Sequence, residues 1–214
     1  MPEWDAKTHS DHLKAGQWPE VEARFVFAVP SGSALSSIPD ARKYGDVIVY
    51  KSQDSYKLLS LKSAVMLYIA AGWCPEAEWV LKADGDVILD LSRWDQALPP
   101  SIPSIAPIIV GFRFRNAPVQ RLGRNGVTEA ELSASRYPDY ASGTVYAMSG
   151  SAVRLMTANI HHVPFLLNED ALFTGVLRNG LGVELRHSEQ FHWKRVTKSC
   201  EMPWGRFSIH GSNN

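Results

Sequence analysis

The sequence is short of cysteine, of charge excess and of long apolar runs, and each shortage argues against a class of protein. Two cysteines occur in 214 residues, Cys74 and Cys200. Two make neither a disulfide framework nor a zinc signature. They are open to pairing in an oxidising compartment or to being two buried thiols. Lys+Arg and Asp+Glu balance at 22 each, which leaves no basic footprint for nucleic acid. The longest unbroken apolar stretch is 64–71, far below the about 20 residues of a membrane-spanning helix. Residues 1–23 are polar around Trp4 and Trp18 and lack the apolar centre of a signal peptide. No Asn-x-Ser/Thr acceptor, internal repeat or low-complexity tract occurs. As written, the chain reads as soluble.

What is present is a globular composition, 45% hydrophobic and 21% charged, with enough chain to bury a core. Apolar runs predict strands at 25–29, 46–50, 79–81, 87–89, 108–114, 144–148 and 183–185. Leu61, Ala64, Val65, Tyr68 and Ile69 recur at helical spacing, so a helix is expected from Ser60, its cap, to Gly72. Further helices are expected at 91–98 with Ser92 as cap, at 151–158, and at 169–179 with Asn168 as cap. A short helical turn is expected at 40–44. Residues 115–136 read as a long surface excursion, and 137–143 as a cluster of turn formers between tyrosines. The order of strands and helices is that of an α/β sheet.

Chemistry concentrates in Lys82-Ala83-Asp84-Gly85-Asp86-Val87. Asp84 and Asp86 sit where a strand ends and a Gly turn begins. Gly85 allows a positive φ or a close approach to a ligand. Residues two apart on an extended segment point the same way, so both carboxylates could reach one hard cation such as Mg²⁺ or Mn²⁺. Asp-Gly is equally a hairpin-turn signal. Glu169-Asp170 places two acids at a helix start, favoured there by the helix dipole, and such a carboxylate can also act as a general base. His187 and His192 follow the last predicted strand and are candidate metal ligands. His161-His162 carries no assigned role. Lys57, Lys62 and Lys82 could neutralise phosphate, although scattered lysines are usually solvated.

In order, Tyr44-Gly45-Asp46, Asp54-Ser55-Tyr56 with Lys62, Trp73-Cys74, Lys82 to Val87, Tyr137-Pro138 with Tyr140-Ala141-Ser142-Gly143, and Glu169-Asp170 with Thr174-Gly175 form one pattern. It resembles the β-1,3-galactosyltransferase family of inverting glycosyltransferases, which includes β-1,3-N-acetylglucosaminyltransferases and, more distantly, the Fringe enzymes. The resemblance covers residues 25–192. It implies a GT-A fold, an α/β nucleotide-binding sheet merged with an acceptor-binding part, spanning 25–194. Residues 1–24 would be a lead-in and 195–214 a tail. It implies a UDP-sugar donor, a glycan acceptor on protein or lipid, Mn²⁺ or Mg²⁺, and a Golgi setting on the lumenal side. It implies that Asp86 holds the metal, with Asp84 beside it and His192, or else His187, as a further ligand. Asp84, Asp86, Lys62 and Asp54 would face the donor. Glu169, Tyr140, Ser142 and Gly143 would line the acceptor side, and Asp170 would be the base.

The sequence departs from the family pattern in four places. Gly85 replaces a middle aspartate. The step from Asp170 to Gly175 is one residue longer than usual. Ala141 stands where cysteine is common. The family's membrane anchor and first strand are not found, so the sheet is expected to lack that strand and to be weak in UDP binding. A catalytically inactive relative that binds glycans or partners, and a metal-dependent phosphate hydrolase using Asp84 and Asp86, are the alternatives.

Overall fold

The computed structural model describes residues 21–32, 45–98, 105–123, 126–196 and 205–210. The turn expected at 40–44, and Trp4, Trp18, Cys200 and Trp204, lie outside the described residues. The chain divides into two compact units, Met1–Leu58 and Leu59–Asn213.

In the first unit, β1 (Phe25–Val29) and β2 (Val47–Lys51) pair in parallel, Phe25 opposite Val47 and Val29 opposite Lys51. Both follow from continuous β-branched and aromatic runs. A single 3₁₀ turn, Tyr56–Leu58, follows. Ser55 holds it: its carbonyl accepts from Leu58 N–H at 2.9 Å and its hydroxyl from Lys57 N–H at 3.3 Å. Asp54-Ser55-Tyr56 is thus turn chemistry.

The second unit is built on a mixed four-stranded sheet. Its strands are β3 (Trp79–Ala83), β5 (Ile108–Phe114), β6 (Tyr140–Ser149) and β7 (Glu184–His187), in the order β3-β6-β5-β7. β6 runs antiparallel to β3 and β5, and β7 runs parallel to β5. A smaller sheet has the order β4-β9-β8, from β4 (Val87–Leu89), β8 (Phe191–Arg195) and β9 (Ser208–His210). Alternation along the strands sends side chains to two faces. Ile109, Tyr146 and Met148 face the helices, where Leu67, Val153, Met156, Phe173 and Leu177 close one core. Val110, Val145 and Ala147 face the smaller sheet, where Val87, Phe191 and Phe207 close a second.

Several expectations are corrected. Helix α1 (Leu59–Trp73) begins before Ser60, and the Ser60 hydroxyl donates to the Leu166 carbonyl at 2.6 Å instead of capping. At Leu91–Arg93 and α2 (Trp94–Ala97), the cap is Asp90, whose carboxylate accepts from both N–H and hydroxyl of Ser92. An ionised carboxylate is the stronger acceptor for those orphan donors. Tyr140–Gly143 belongs to β6 itself, because Phe114 and Arg113 of β5 extend the ladder across a bulge to Tyr140 and Ala141. The excursion 115–136 is tied inward: Val119 and Val127 are buried, and Arg121 donates to the carbonyls of Val127, Leu132 and Ala134. Part of the expected tail, Ser208–His210, is a strand between two others.

Helix α3 (Gly150–Asn159) is capped by Ser149, which accepts from Ala152 N–H. After Glu169-Asp170 the chain turns into a π-helical segment, Ala171–Leu177. An i→i+5 ladder absorbs one more residue than an α-turn does. Thr174 fixes the register, accepting Ala141 N–H at 2.8 Å and donating to the Asp170 carbonyl at 2.6 Å.

Candidate active site

Lys82 shares its face of β3 with Val80, so its side chain points into the helix-side core. It is buried. Its ammonium donates to the Asp84 carboxylate at 2.6 Å and to the Gly143 carbonyl. Gly143 in turn donates its N–H to Asp170 Oδ2 at 3.0 Å, and Asp170 Oδ1 accepts the Ala171 N–H at 2.8 Å. Glu169 is buried and accepts the Ser63 hydroxyl at 2.7 Å; the Tyr146 phenol is 3.5 Å from the same oxygen. One polar network therefore runs Asp84–Lys82–Gly143–Asp170. Burial disfavours the charged Lys82, but the charges of Glu169, Asp84 and Asp170, with the hydrogen bond to Asp84, more than offset it and raise its proton affinity.

Asp170 is half-buried. Burial, with the adjacent Glu169 charge second, pushes its carboxyl up to about 7, against the donors from Ala171 and Gly143. A carboxylate with that affinity for protons, reachable from solvent, is suited to general-base work near neutrality. Its setting depends on Gly143. A Cβ there would lie 3.1 Å from Asp170 Cβ, 3.2 Å from Asp170 Oδ2 and 3.3 Å from Glu169 Oε2. We expect Gly143→Ala to displace both carboxylates and lower kcat about tenfold or more, with donor KM unchanged. Steady-state rates check this; an unchanged kcat would mean the carboxylates need no such clearance.

Asp84 and Asp86 do not share a partner. Asp84 is exposed on its outer side and bound to Lys82, whereas Asp86 Oδ2 lies 3.2 Å from His210 Nε2. The turn between them forms without a left-handed Gly85. His210 also contacts the Trp193 carbonyl through Nδ1 at 3.1 Å, a contact that orients a ring for metal binding through Nε2. Among the described residues, no three His, Cys, Asp or Glu side chains converge as a metal cage. Asp86 and His210 supply one carboxylate and one imidazole, a donor pair that would suit a divalent ion such as Mn²⁺.

The other predicted residues scatter. His187 is engaged: Nδ1 accepts the Arg113 N–H at 3.1 Å and Nε2 lies 2.8 Å from Glu189. His192 is half-buried with Nδ1 unpartnered, and burial pushes its imidazole below the usual range. Ser142 pairs with the Thr144 hydroxyl at 2.7 Å. Tyr140 is half-buried beside Asp170, and burial with that charge raises its phenol. Lys62 is half-buried on α1; Asp54 is exposed in the first unit. Ala141 is fully buried, and Cys74 is a free, exposed thiol. His210 escaped sequence reading because it ends a three-residue strand with a polar Ser208. The alternation in Phe207-Ser208-Ile209-His210 was its one signal.

The mixed α/β unit carries a half-buried carboxylate, Asp170, and an Asp86/His210 pair. The chain belongs to the galactosyltransferase family, whose model matches residues 7–189. His210 lies beyond that stretch. The chain is similar to human beta-1,3-galactosyltransferase 1, 26% identical over 164 residues, covering 75% of this chain and 50% of the relative. It is similar to rat (Rattus norvegicus) beta-1,3-galactosyltransferase 4, 27% identical over 198 residues, covering 78% and 53%. Human beta-1,3-galactosyltransferase 9 is 29% identical over 155 residues, covering 72% and 42%. The chain spans about half the length of the curated relatives it matches. No helix among the described residues is long and apolar enough to cross a membrane.

Proposed function

We propose that this chain is a metal-dependent inverting glycosyltransferase of GT-A type. It moves galactose or N-acetylglucosamine from a UDP-sugar to a glycan hydroxyl in β-1,3 linkage, in protein or lipid glycosylation on the lumenal side of the Golgi. The observation that supports this best is the network joining Asp84, Lys82, Gly143 and Asp170, with Asp170 held near neutrality. Asp170 takes the proton of the acceptor hydroxyl as that oxygen attacks the anomeric carbon. The bond from that carbon to the diphosphate oxygen breaks on the opposite face, and the electron pair leaves with UDP. Lys82 keeps Gly143 and Asp84 in place while the base changes charge. Glu169 holds the proton affinity of Asp170 up. Asp86 and His210 would hold Mn²⁺, which when bound neutralises charge on the leaving diphosphate.

The decisive measurement is UDP release from UDP-galactose and from UDP-N-acetylglucosamine, with Mn²⁺ and an acceptor panel. No release with either donor would overturn the reading. We expect Asp86→Ala to abolish Mn²⁺-dependent UDP binding and His210→Ala to weaken it about 10–100-fold, with little change in melting temperature. Calorimetry with and without Mn²⁺ checks both; equal affinity in wild type and variants would remove these residues from the metal site.

A further inference from the structure

Phe114 and Trp193 are large, half-exposed rings, and neither apolar core takes them in among the described residues. They meet edge to face at 5.0 Å between centroids. Phe114 continues to Tyr140 at 5.3 Å, its cross-strand partner, and Tyr140 to Tyr137 at 5.6 Å. Phe112 backs the row, 5.6 Å from Trp193 and 5.1 Å from the His187 ring. Tyr140 and the buried Tyr137 both feel the Asp170 charge. Tyr140 packs against Gly175 of the π-helical segment that begins after Asp170, where a Cβ would lie 3.2 Å from Tyr140 Cβ. At the other end the exposed Lys194 ammonium lies 5.6 Å from the Trp193 centroid.

Three of these rings, Trp193, Phe114 and Tyr140, are half-exposed, and a contiguous apolar patch rimmed by polar residues marks an interaction site. A pyranose ring matches it. One face of the sugar is C–H groups, and its edge is hydroxyls. The C–H face would lie on the rings, and the edge would reach Asp170 on one side and Lys194 on the other. We infer that Trp193, Phe114 and Tyr140 form a shelf that binds the acceptor pyranose by its apolar face and turns one hydroxyl toward Asp170. This rests on reading Asp170 as the base of glycosyl transfer. Such a shelf contributes binding energy away from the reacting bond, which positions the hydroxyl and sets which acceptors are used. A flat uracil could stack on the same rings, so the test must separate donor from acceptor.

Two measurements do so, with methyl β-galactoside and methyl β-N-acetylglucosaminide as probes. The first is saturation-transfer difference NMR of each glycoside with the protein, which needs no turnover. In wild type the saturation should concentrate on C–H protons of one ring face, and Trp193→Ala should abolish it. The second is initial-rate kinetics with each UDP-sugar and Mn²⁺. Trp193→Ala and Phe114→Leu should each raise acceptor KM about tenfold, the size of losing one aromatic stack. Donor KM, and UDP release to water without acceptor, should stay within about twofold, and Trp193→Phe should restore most of the acceptor affinity. An unchanged acceptor KM would overturn the shelf. A matching rise in donor KM would overturn it too, in favour of uracil stacking or a structural role. Glycoside saturation in wild type with no UDP release under any condition would leave the shelf standing and sink the transferase reading instead.

Discussion

Asp170→Asn is expected to separate chemistry from binding. Turnover should fall by roughly 10²–10⁴-fold, the usual size of general-base catalysis, while donor affinity is kept. The wild-type rate should fall as pH drops through about 7, where the Asp170 carboxyl takes its proton. The same substitution should raise stability in alkaline buffer. The folded carboxyl sits above its ordinary 3.8, so the fold favours the neutral form. A raised value means its stability contribution is complete below about pH 4 and is lost as pH rises through about 7. Asparagine escapes that loss but gives up one of two accepted N–H bonds. A net gain on the order of 1 kcal/mol, about 2–4 °C in melting temperature, is expected at pH 8, shrinking toward pH 4. Rates and thermal melts across pH check both halves. A near-normal kcat would move the base to Glu169. An equal loss of donor binding would mark Asp170 as structural.

Lys82→Met should cost more stability than any other single change at the site. The buried ammonium faces Asp84, Glu169 and Asp170, and removing it strands those charges. Breaking a buried pair from one side costs about 3–5 kcal/mol, here on the order of 10 °C in melting temperature. The deficit should be largest near pH 8 and should narrow in acid, as the carboxylates protonate. Lys82→Arg keeps the charge and should recover part of it. A Met variant melting within about 2 °C of wild type at pH 8 would mean the network contributes nothing.

Several elements were legible because apolar runs are local. Ile108–Phe114 could be read to the residue, and Val87–Leu89 likewise. The acids were legible as well: Asp84, Asp86, Glu169 and Asp170 stand out as a pattern without any coordinates. Their partners were not. Lys82 read as one of three lysines that could neutralise phosphate or stay solvated, yet period two along β3 puts it beside Val80, and only the helices packed on that face make it a buried cation. The Asp84/Asp86 spacing suggested a shared ion. The chain turns between them, so one faces Lys82 and the other His210.

The step from Asp170 to Gly175 shows the division most clearly. From the sequence alone came the acids, the glycines and the strand and helix rhythm. Only tertiary packing decided how the chain runs between them. Asp170 must stay on the Gly143 N–H while Gly175 stays against Tyr140 and Thr174 takes the Ala141 N–H. The π-helical segment Ala171–Leu177 meets those three contacts. In the same way, β9 is too short to form by its own propensity. It exists because β4 and β8 offer paired edges on either side and Phe207 fills the core beneath. The pairing with β4, more than a hundred positions away, brings His210 to Asp86.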